Sequence, residues 1–159
     1  MKFVLRLASV LLITMSLFAA QPATRQVLTL DIAKQVAAAT AAEAVANKWT
    51  VVIAIMDEGG NLMYLERADE TQIGSIQVAQ EKARSAVAFK RPTKVFEDAV
   101  AGGRTAIMKL PGAMPVEGGI PLMLNGRVAG AIGVSGVTSQ QDGQIAKAGV
   151  DALAKIVAK

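Results

Sequence analysis

Three groups of polar residues carry the side chains with which this sequence could bind or transform a ligand. The first group is the segment 66–70, Glu-Arg-Ala-Asp-Glu, and the second is Ser75 with Lys82. The third is Glu117 with the glycine pair Gly118-Gly119. Such cations and carboxylates can hold a charged ligand, and glycine lets a backbone approach one closely. Each group also has an ordinary structural explanation, namely a solvated turn, a helix-surface lysine and a glycine turn.

The composition excludes several kinds of chemistry, because the 159 residues include no histidine and no cysteine. A Ser-His-Asp triad, a thiol nucleophile, a disulfide and a cysteine-based zinc site are therefore impossible. The glycine pairs at 59–60 and 102–103 belong to no Gly-x-Gly-x-x-Gly or Gly-x4-Gly-Lys-Ser/Thr pattern, so no phosphate loop is indicated. Basic residues are scattered without interleaved aromatics, which gives nucleic-acid binding no support.

The first 23 residues have the three-part pattern of a secretory signal peptide. Lys2 and Arg6 form a positive start, residues 7–20 are uncharged and largely apolar, and small residues follow. The apolar run is shorter than the about 20 residues of a membrane-spanning helix. A first core helix or an uncleaved anchor is the alternative. We predict a periplasmic or secreted protein with one domain over 24–159 and no membrane span after signal removal.

The first half of that domain predicts a helix followed by a β-hairpin. An alanine-rich segment at 29–48 favours helix, with Thr29 as its N-cap. Residues 50–56 are apolar and β-branched without alternation, which indicates a central strand covered on both faces. The turn residues 57–61 should return the chain as a second, antiparallel strand over 62–67.

The second half predicts two helices, a second hairpin and a final helix. Ser75 and Thr93 are the expected N-caps of the two helices, and residues 104–117 are expected to form a loop. Asn125-Gly126 suits the two positive-φ positions of a tight hairpin turn. Thr138 with Gln141 matches a capping box. Because the strands come in hairpins and helices cover them, the predicted class is α+β with an antiparallel sheet.

The strand at 127–135 has one face that is almost bare of side chains, formed by Ala129, Ala131 and Gly133. A packed helix, another backbone or a flat ligand could lie on this face. The sequence does not decide between these alternatives.

Five motifs in order carry a resemblance to a known family. They are Asp-Glu-Gly-Gly-Asn-Leu at 57–62, Glu-Arg-Ala-Asp at 66–69, Ser75 followed by Lys82, Pro-Val-Glu-Gly-Gly-Ile-Pro at 115–121, and Gly-Ala-Ile-Gly-Val-Ser-Gly at 130–136. With them the chain resembles the haem-binding GlcG/HbpS-like family over residues 28–156. The resemblance implies a single α+β domain, with an about five-stranded, largely antiparallel sheet flanked by helices in a profilin/PAS-like layout. A fifth strand is expected at 104–109.

The resemblance also implies a homo-oligomer that binds haem. Because the chain has no histidine, Tyr64, Met114 or a Lys or Thr group would have to coordinate the iron. The residues expected to contact the ligand lie at the rim of the sheet and before the second hairpin. They are Arg67, Asp69, Ser75, Lys82, Met114, Gly118, Gly119 and Pro121. Arg104 is a further candidate partner for the haem propionates.

The resulting functional hypothesis is an exported protein that binds haem, or a related tetrapyrrole, in a groove near the second hairpin. Promotion of haem degradation and iron capture would extend this role, and catalysis as such stays open. Two alternatives remain. One is an enzyme or accessory protein that acts on a small anionic metabolite such as a 2-hydroxy acid. The other is an oligomeric module that binds a partner protein.

Overall fold

The computed structural model describes residues 22–158, so nearly all of the predicted signal peptide lies outside the described residues. None of the described helices is long and apolar enough to cross a bilayer. The described part holds four helices and four strands. In chain order they are α1 (Leu30–Ala46), β1 (Val52–Asp57), β2 (Leu62–Arg67), α2 (Gly74–Phe89), α3 (Lys94–Ala101), β3 (Gly119–Leu124), β4 (Arg127–Ser135) and α4 (Ser139–Val157).

The four strands form one antiparallel sheet in the order β2-β1-β4-β3. Both predicted hairpins are confirmed, and β1 is central as the unbroken apolar run indicated. Pro121 lies in the edge strand β3, where its missing N–H costs no sheet hydrogen bond. Asn125 and Gly126 form the turn between β3 and β4 with φ of 48° and 73°.

The sheet is covered on both faces, which confirms the predicted α+β class. Helices α1 and α4 pack on one face, where Ile53 and Ile55 join their apolar side chains. Helix α2 covers the other face, against Val52, Ala54 and Met56. Alternate residues of β1 therefore enter two separate apolar layers, as expected of a strand without polar positions.

The bare face of β4 is covered by helix α2, which decides among the three alternatives left by the sequence. A Cβ placed on Gly133 would lie 2.0 Å from the carbonyl oxygen of Ala79 and 2.6 Å from the backbone nitrogen of Ala83. Helix and strand are therefore in direct backbone contact at Gly133. No flat ligand can occupy this face while α2 is in place.

Two of the predicted helix caps are confirmed, one is confirmed in position only, and one is wrong. Thr29 caps α1, and Thr138 with Gln141 forms the capping box of α4. Ser75 is instead inside α2, and its hydroxyl lies 3.1 Å from that of Ser135 across the sheet face. Thr93 is the N-cap residue of α3, as predicted, but its side chain makes no capping hydrogen bond, because its Oγ1 accepts one from the Gly119 N–H at 2.9 Å.

The expected fifth strand is absent from the described residues, so the predicted strand count is too high by one. Its position is taken by a short 3-10 helix, Thr105–Lys109. The backbone N–H of Ile107 donates to the carbonyl of Arg104, and that of Leu110 donates to Ile107. These local bonds satisfy backbone groups that a strand would have paired with the sheet.

Candidate functional site

Lys82, one of the predicted ligand contacts, lies in a buried ion pair. Its side chain is 1% exposed, and its Nζ donates to Asp142 Oδ2 at 2.7 Å and to the carbonyl of Val134 at 3.0 Å. Burial raises the pKa of Asp142, while the Lys82 ammonium beside it acts in the opposite direction. The sequence predicts that Lys82 contacts the ligand, but in this structure Lys82 pairs with the Asp142 carboxylate instead.

The glycine pair Gly118-Gly119 encloses this ion pair. A Cβ on Gly118, whose φ is +124°, would lie 2.9 Å from Lys82 Nζ and 2.7 Å from the Val134 carbonyl oxygen. A Cβ on Gly119 would lie 2.3 Å from the carbonyl oxygen of Lys82. Close packing therefore explains why glycine occupies both positions, since only a residue without a side chain fits between β4 and α2 at this point.

Of the other predicted contacts, Met114 lies near this cluster and the rest lie apart from it. The Met114 N–H donates to Ser85 Oγ at 3.0 Å, one helical turn from Lys82, and Ser75 faces Ser135. Pro121 is buried in β3. Arg67 and Asp69 lie at the exposed end of β2, where Arg67 contacts the carbonyl of Thr71 at 3.5 Å. The structure therefore brings only part of the predicted set together: Lys82, Gly118 and Gly119, with Met114 alongside.

Tyr64, a predicted iron ligand, already has a partner. Its hydroxyl donates to Glu66 Oε2 at 2.6 Å, and this bond raises the pKa of the phenol. A neutral phenol bonded to a carboxylate is a poorer metal ligand than a phenolate.

A groove of about 870 Å³ lies at the end of the sheet where both hairpins turn. One wall comes from the segment before α1, another from the β3–β4 turn, and the remainder from the β1–β2 turn and the end of α2. The lining residues are Thr24, Arg25, Gln26, Glu58, Lys90, Met123, Leu124, Asn125, Gly126, Arg127 and Val128. The groove lies at the turn of the second hairpin, whereas the predicted contacts Gly118 and Gly119 lie at the opposite end of β3, and none of the eight predicted contacts lines the groove.

Three cations lie around this groove. Arg25 forms an ion pair with Glu58, which holds the N-terminal segment against the β1–β2 turn. Lys90 ends α2 in the left-handed conformation, and Arg127 directly follows the Asn-Gly turn. Neither Lys90 nor Arg127 has a carboxylate partner among residues 22–158. Together with the apolar side chains of Met123 and Val128, they suit an anionic ligand with an apolar body.

Sequence reasoning missed the groove residues because they come from four separate segments. Two signals in the sequence point to groove residues. Arg127 is a cation directly after an Asn-Gly turn, and Lys90 is a cation at a helix end just before a proline. Neither signal shows that the two side chains share a groove.

Glu117, from the third polar group, lies against the first turns of α4. A Cβ on Gly143 would lie 2.3 Å from Glu117 Oε1, and the partial burial of the carboxyl raises its pKa above the ordinary 4.5. The nearby Glu97 carboxylate acts in the same direction, while Lys94 acts against it. Glu97 also accepts hydrogen bonds from Ser139 Oγ at 2.9 Å and from the backbone N–H of Glu117.

Replacement of Glu117 with glutamine should remove the contribution of this carboxyl to the pH dependence of the free energy of unfolding. The folded protein holds the Glu117 proton more tightly than the unfolded chain does. Stability from this group therefore falls as the pH rises from 4.5 through the raised pKa, and then stays constant. Urea denaturation of both proteins across this range measures the difference. Well below pH 4.5 the glutamate is protonated in both the folded and the unfolded chain, so the difference in stability there measures every other effect of the substitution. Parallel curves throughout would contradict the prediction.

The described residues define a single α+β domain with a cation-rimmed groove at one end of its antiparallel sheet. Residues 28–151 match the model of the family described as "Haem degrading protein HbpS-like". The chain therefore belongs to the HbpS-like family.

Three known proteins are similar to this chain over most of its length. Protein GlcG of Escherichia coli strain K12 is 42% identical over 112 residues, which cover 70% of this chain and 84% of GlcG. The crystal structure of a double mutant of HbpS from Streptomyces reticuli is 31% identical, with a TM-score of 0.73, and covers 85% of this chain and 97% of that one. The crystal structure of a PduOC complex with heme is 26% identical, with a TM-score of 0.72, and the match covers 80% of this chain and 95% of PduOC.

Proposed function

We propose that this protein binds haem in the groove beside its second hairpin. The observation that carries the proposal is the groove itself, in which Lys90 and Arg127 stand without carboxylate partners among residues 22–158 next to the apolar wall formed by Met123, Leu124 and Val128. Family membership and the haem complex of the structural relative PduOC support the choice of ligand.

The chemistry of the groove fits haem. Its volume of about 870 Å³ lies within the about 300–1,000 Å³ typical of small-molecule sites. Haem has a flat apolar ring and two propionates, which Arg127 and Lys90 would hold while the apolar wall packs against the ring. Bound haem supplies a redox-active iron whose properties depend on its axial ligand and surroundings.

Export and haem breakdown are the finer parts of the proposal. The signal-like residues 1–23 support export to the periplasm or the medium. The family description supports haem degradation, with iron capture as its outcome. Hydrogen peroxide supplied to the hemin-loaded protein should then bleach the Soret band and release iron to a chelator. Homo-oligomer formation stays a prediction.

Removal of the groove cations should weaken haem binding. We expect Lys90→Ala and Arg127→Ala each to raise the Kd for hemin about threefold to tenfold, which corresponds to at most about 1.4 kcal/mol, and the double substitution to raise it further. Absorbance titration of the purified protein with hemin measures this. Lys155→Ala removes one exposed cation of α4 outside the groove and should leave the Kd unchanged.

The same titration distinguishes the two candidate locations. Unchanged affinity in the double variant would contradict the groove. If Arg67→Ala then weakens binding, the ligand lies at the end of β2 that the sequence indicated. Absence of any Soret shift in the unsubstituted protein would contradict haem binding altogether.

The pair of cations also fits a small anion with two carboxylates, which keeps the second candidate function open. A 2-hydroxy acid or dicarboxylate that binds the folded state raises its melting temperature in proportion to the logarithm of its concentration. Stabilisation by such an acid that Arg127→Ala abolishes, without any effect of hemin, would favour this alternative over haem.

A further inference from the structure

Met123 lies on the edge strand β3 and lines the groove. Its neighbours Leu122 and Leu124 are buried, whereas Met123 is 43% exposed, because alternate residues of a strand face opposite sides of the sheet. The pairing with β4 shifts beside Met123, since Leu122 lies opposite Gly130 and Met123 lies opposite Val128. The extra residue of this bulge is Ala129, which belongs to β4.

The side chains that commonly coordinate haem iron are those of His, Cys, Met and Tyr. The chain has no His and no Cys, and its one tyrosine, Tyr64, lies outside the groove and is bonded to Glu66. Met56 is fully buried, and Met114 does not line the groove. Among residues 22–158, Met123 is therefore the only lining residue of these four types.

The surroundings of Met123 fit a ligand that is held by its edge. Arg127 and Lys90 line the same groove as Met123, so a ligand whose carboxylates pair with these cations would share the groove with the Met123 thioether. The unbranched thioether can adapt its position and is a soft metal ligand. Lys90 could compete only as a neutral amine, and it would then lose the charge that pairs with a propionate.

We propose that the Met123 thioether is an axial ligand of the iron when haem occupies the groove. This inference rests on the proposed haem binding and deepens it, since it names the residue that coordinates the metal. The sequence alone leaves Tyr64, Met114 and a Lys or Thr group open as iron ligands, and Met123 is selected instead by its position in the groove.

Spectroscopy of the hemin-loaded protein tests the assignment. The ferric complex should show the weak sulfur-to-iron charge-transfer band at the red end of the visible spectrum. Met123→Leu should abolish this band and lower the midpoint potential, while the Kd rises no more than about tenfold because both cations remain. Met114→Leu is the matched control and should keep the band. Met123→His should give a histidine-type spectrum and tighter binding.

Three outcomes would overturn the inference, and they separate it from the proposed function. A midpoint potential that Met123→Leu leaves unchanged, or a charge-transfer band that survives in this variant, refutes ligation by Met123 and leaves haem binding intact. A protein that binds no hemin refutes both. Because Met123 is exposed and leucine is of similar size, the variant should fold, and its unfolding curve provides the check.

Discussion

Replacement of Lys82 with methionine should lower the free energy of unfolding by about 3–5 kcal/mol, the usual cost of removing one partner from a buried ion pair. The substitution keeps the length and apolar stem of the side chain but leaves the Asp142 carboxyl buried without its cation. It also removes the hydrogen bond to the Val134 carbonyl. Urea denaturation at neutral pH measures the loss.

A matched control lies on the same helix as Asp142. Lys147 pairs with Asp151 at 2.6 Å, but their side chains are 67% and 54% exposed. Lys147→Met should therefore cost less than about 1 kcal/mol. Substitution of both buried partners, as K82M/D142L, should recover much of the stability lost in Lys82→Met, and it serves as the test if the single variant does not fold. Equal losses for Lys82→Met and Lys147→Met would contradict the argument.

Gly133→Ala should also be strongly destabilising, with an expected loss of about 3 kcal/mol, the upper part of the range for overpacked cores. The added methyl would lie 2.0 Å from the Ala79 carbonyl oxygen and 2.6 Å from the Ala83 nitrogen. Both atoms belong to the backbone of α2, so no rotation of a side chain can relieve the clash. The helix must move away from the sheet instead. Thermal or urea unfolding measures the effect.

Gly74→Ala is the control for this prediction because it makes the same chemical change at the start of α2. Nothing lies within 4 Å of a Cβ on Gly74. Alanine also favours helix over glycine by up to about 1 kcal/mol, so this variant should be as stable as the parent or slightly more stable. A Gly133→Ala protein with parental stability would show that α2 can shift from the sheet without cost.

Much of the fold could be predicted from the sequence because its signals are local. The unbroken apolar run of β1, the Asn125-Gly126 turn and the capping box at Thr138 each lie within a few residues, and all three are confirmed. The two hydroxyls that were expected to cap helices and do not cap them have one physical cause in common. Ser75 and Thr93 have the chemistry of helix caps, but their hydroxyls bond to residues about 60 and 26 positions away in the chain.

The candidate site was harder to predict for the same reason. Lys82 and Asp142 are 60 residues apart, and nothing local to Lys82 shows that a carboxylate will enclose it. The groove likewise depends on how two hairpin turns, the end of α2 and the segment before α1 meet. The sequence places the predicted ligand contacts before the second hairpin, and only the packed structure shows a groove at the hairpin turn and which cations and which methionine line it.

The Lys82–Asp142 pair also has a consequence for motion. Lys82 belongs to the helix on one face of the sheet, Asp142 to a helix on the other, and the Val134 carbonyl that Lys82 also contacts belongs to the strand between them. If either helix detaches from the sheet, the ion pair breaks and the buried charge on the other helix loses its partner. Detachment of one helix alone therefore has a high free-energy cost. Amide protons of α2 and α4 should therefore exchange with solvent through one shared opening event, and the sheet with its two covers forms one cooperative unit.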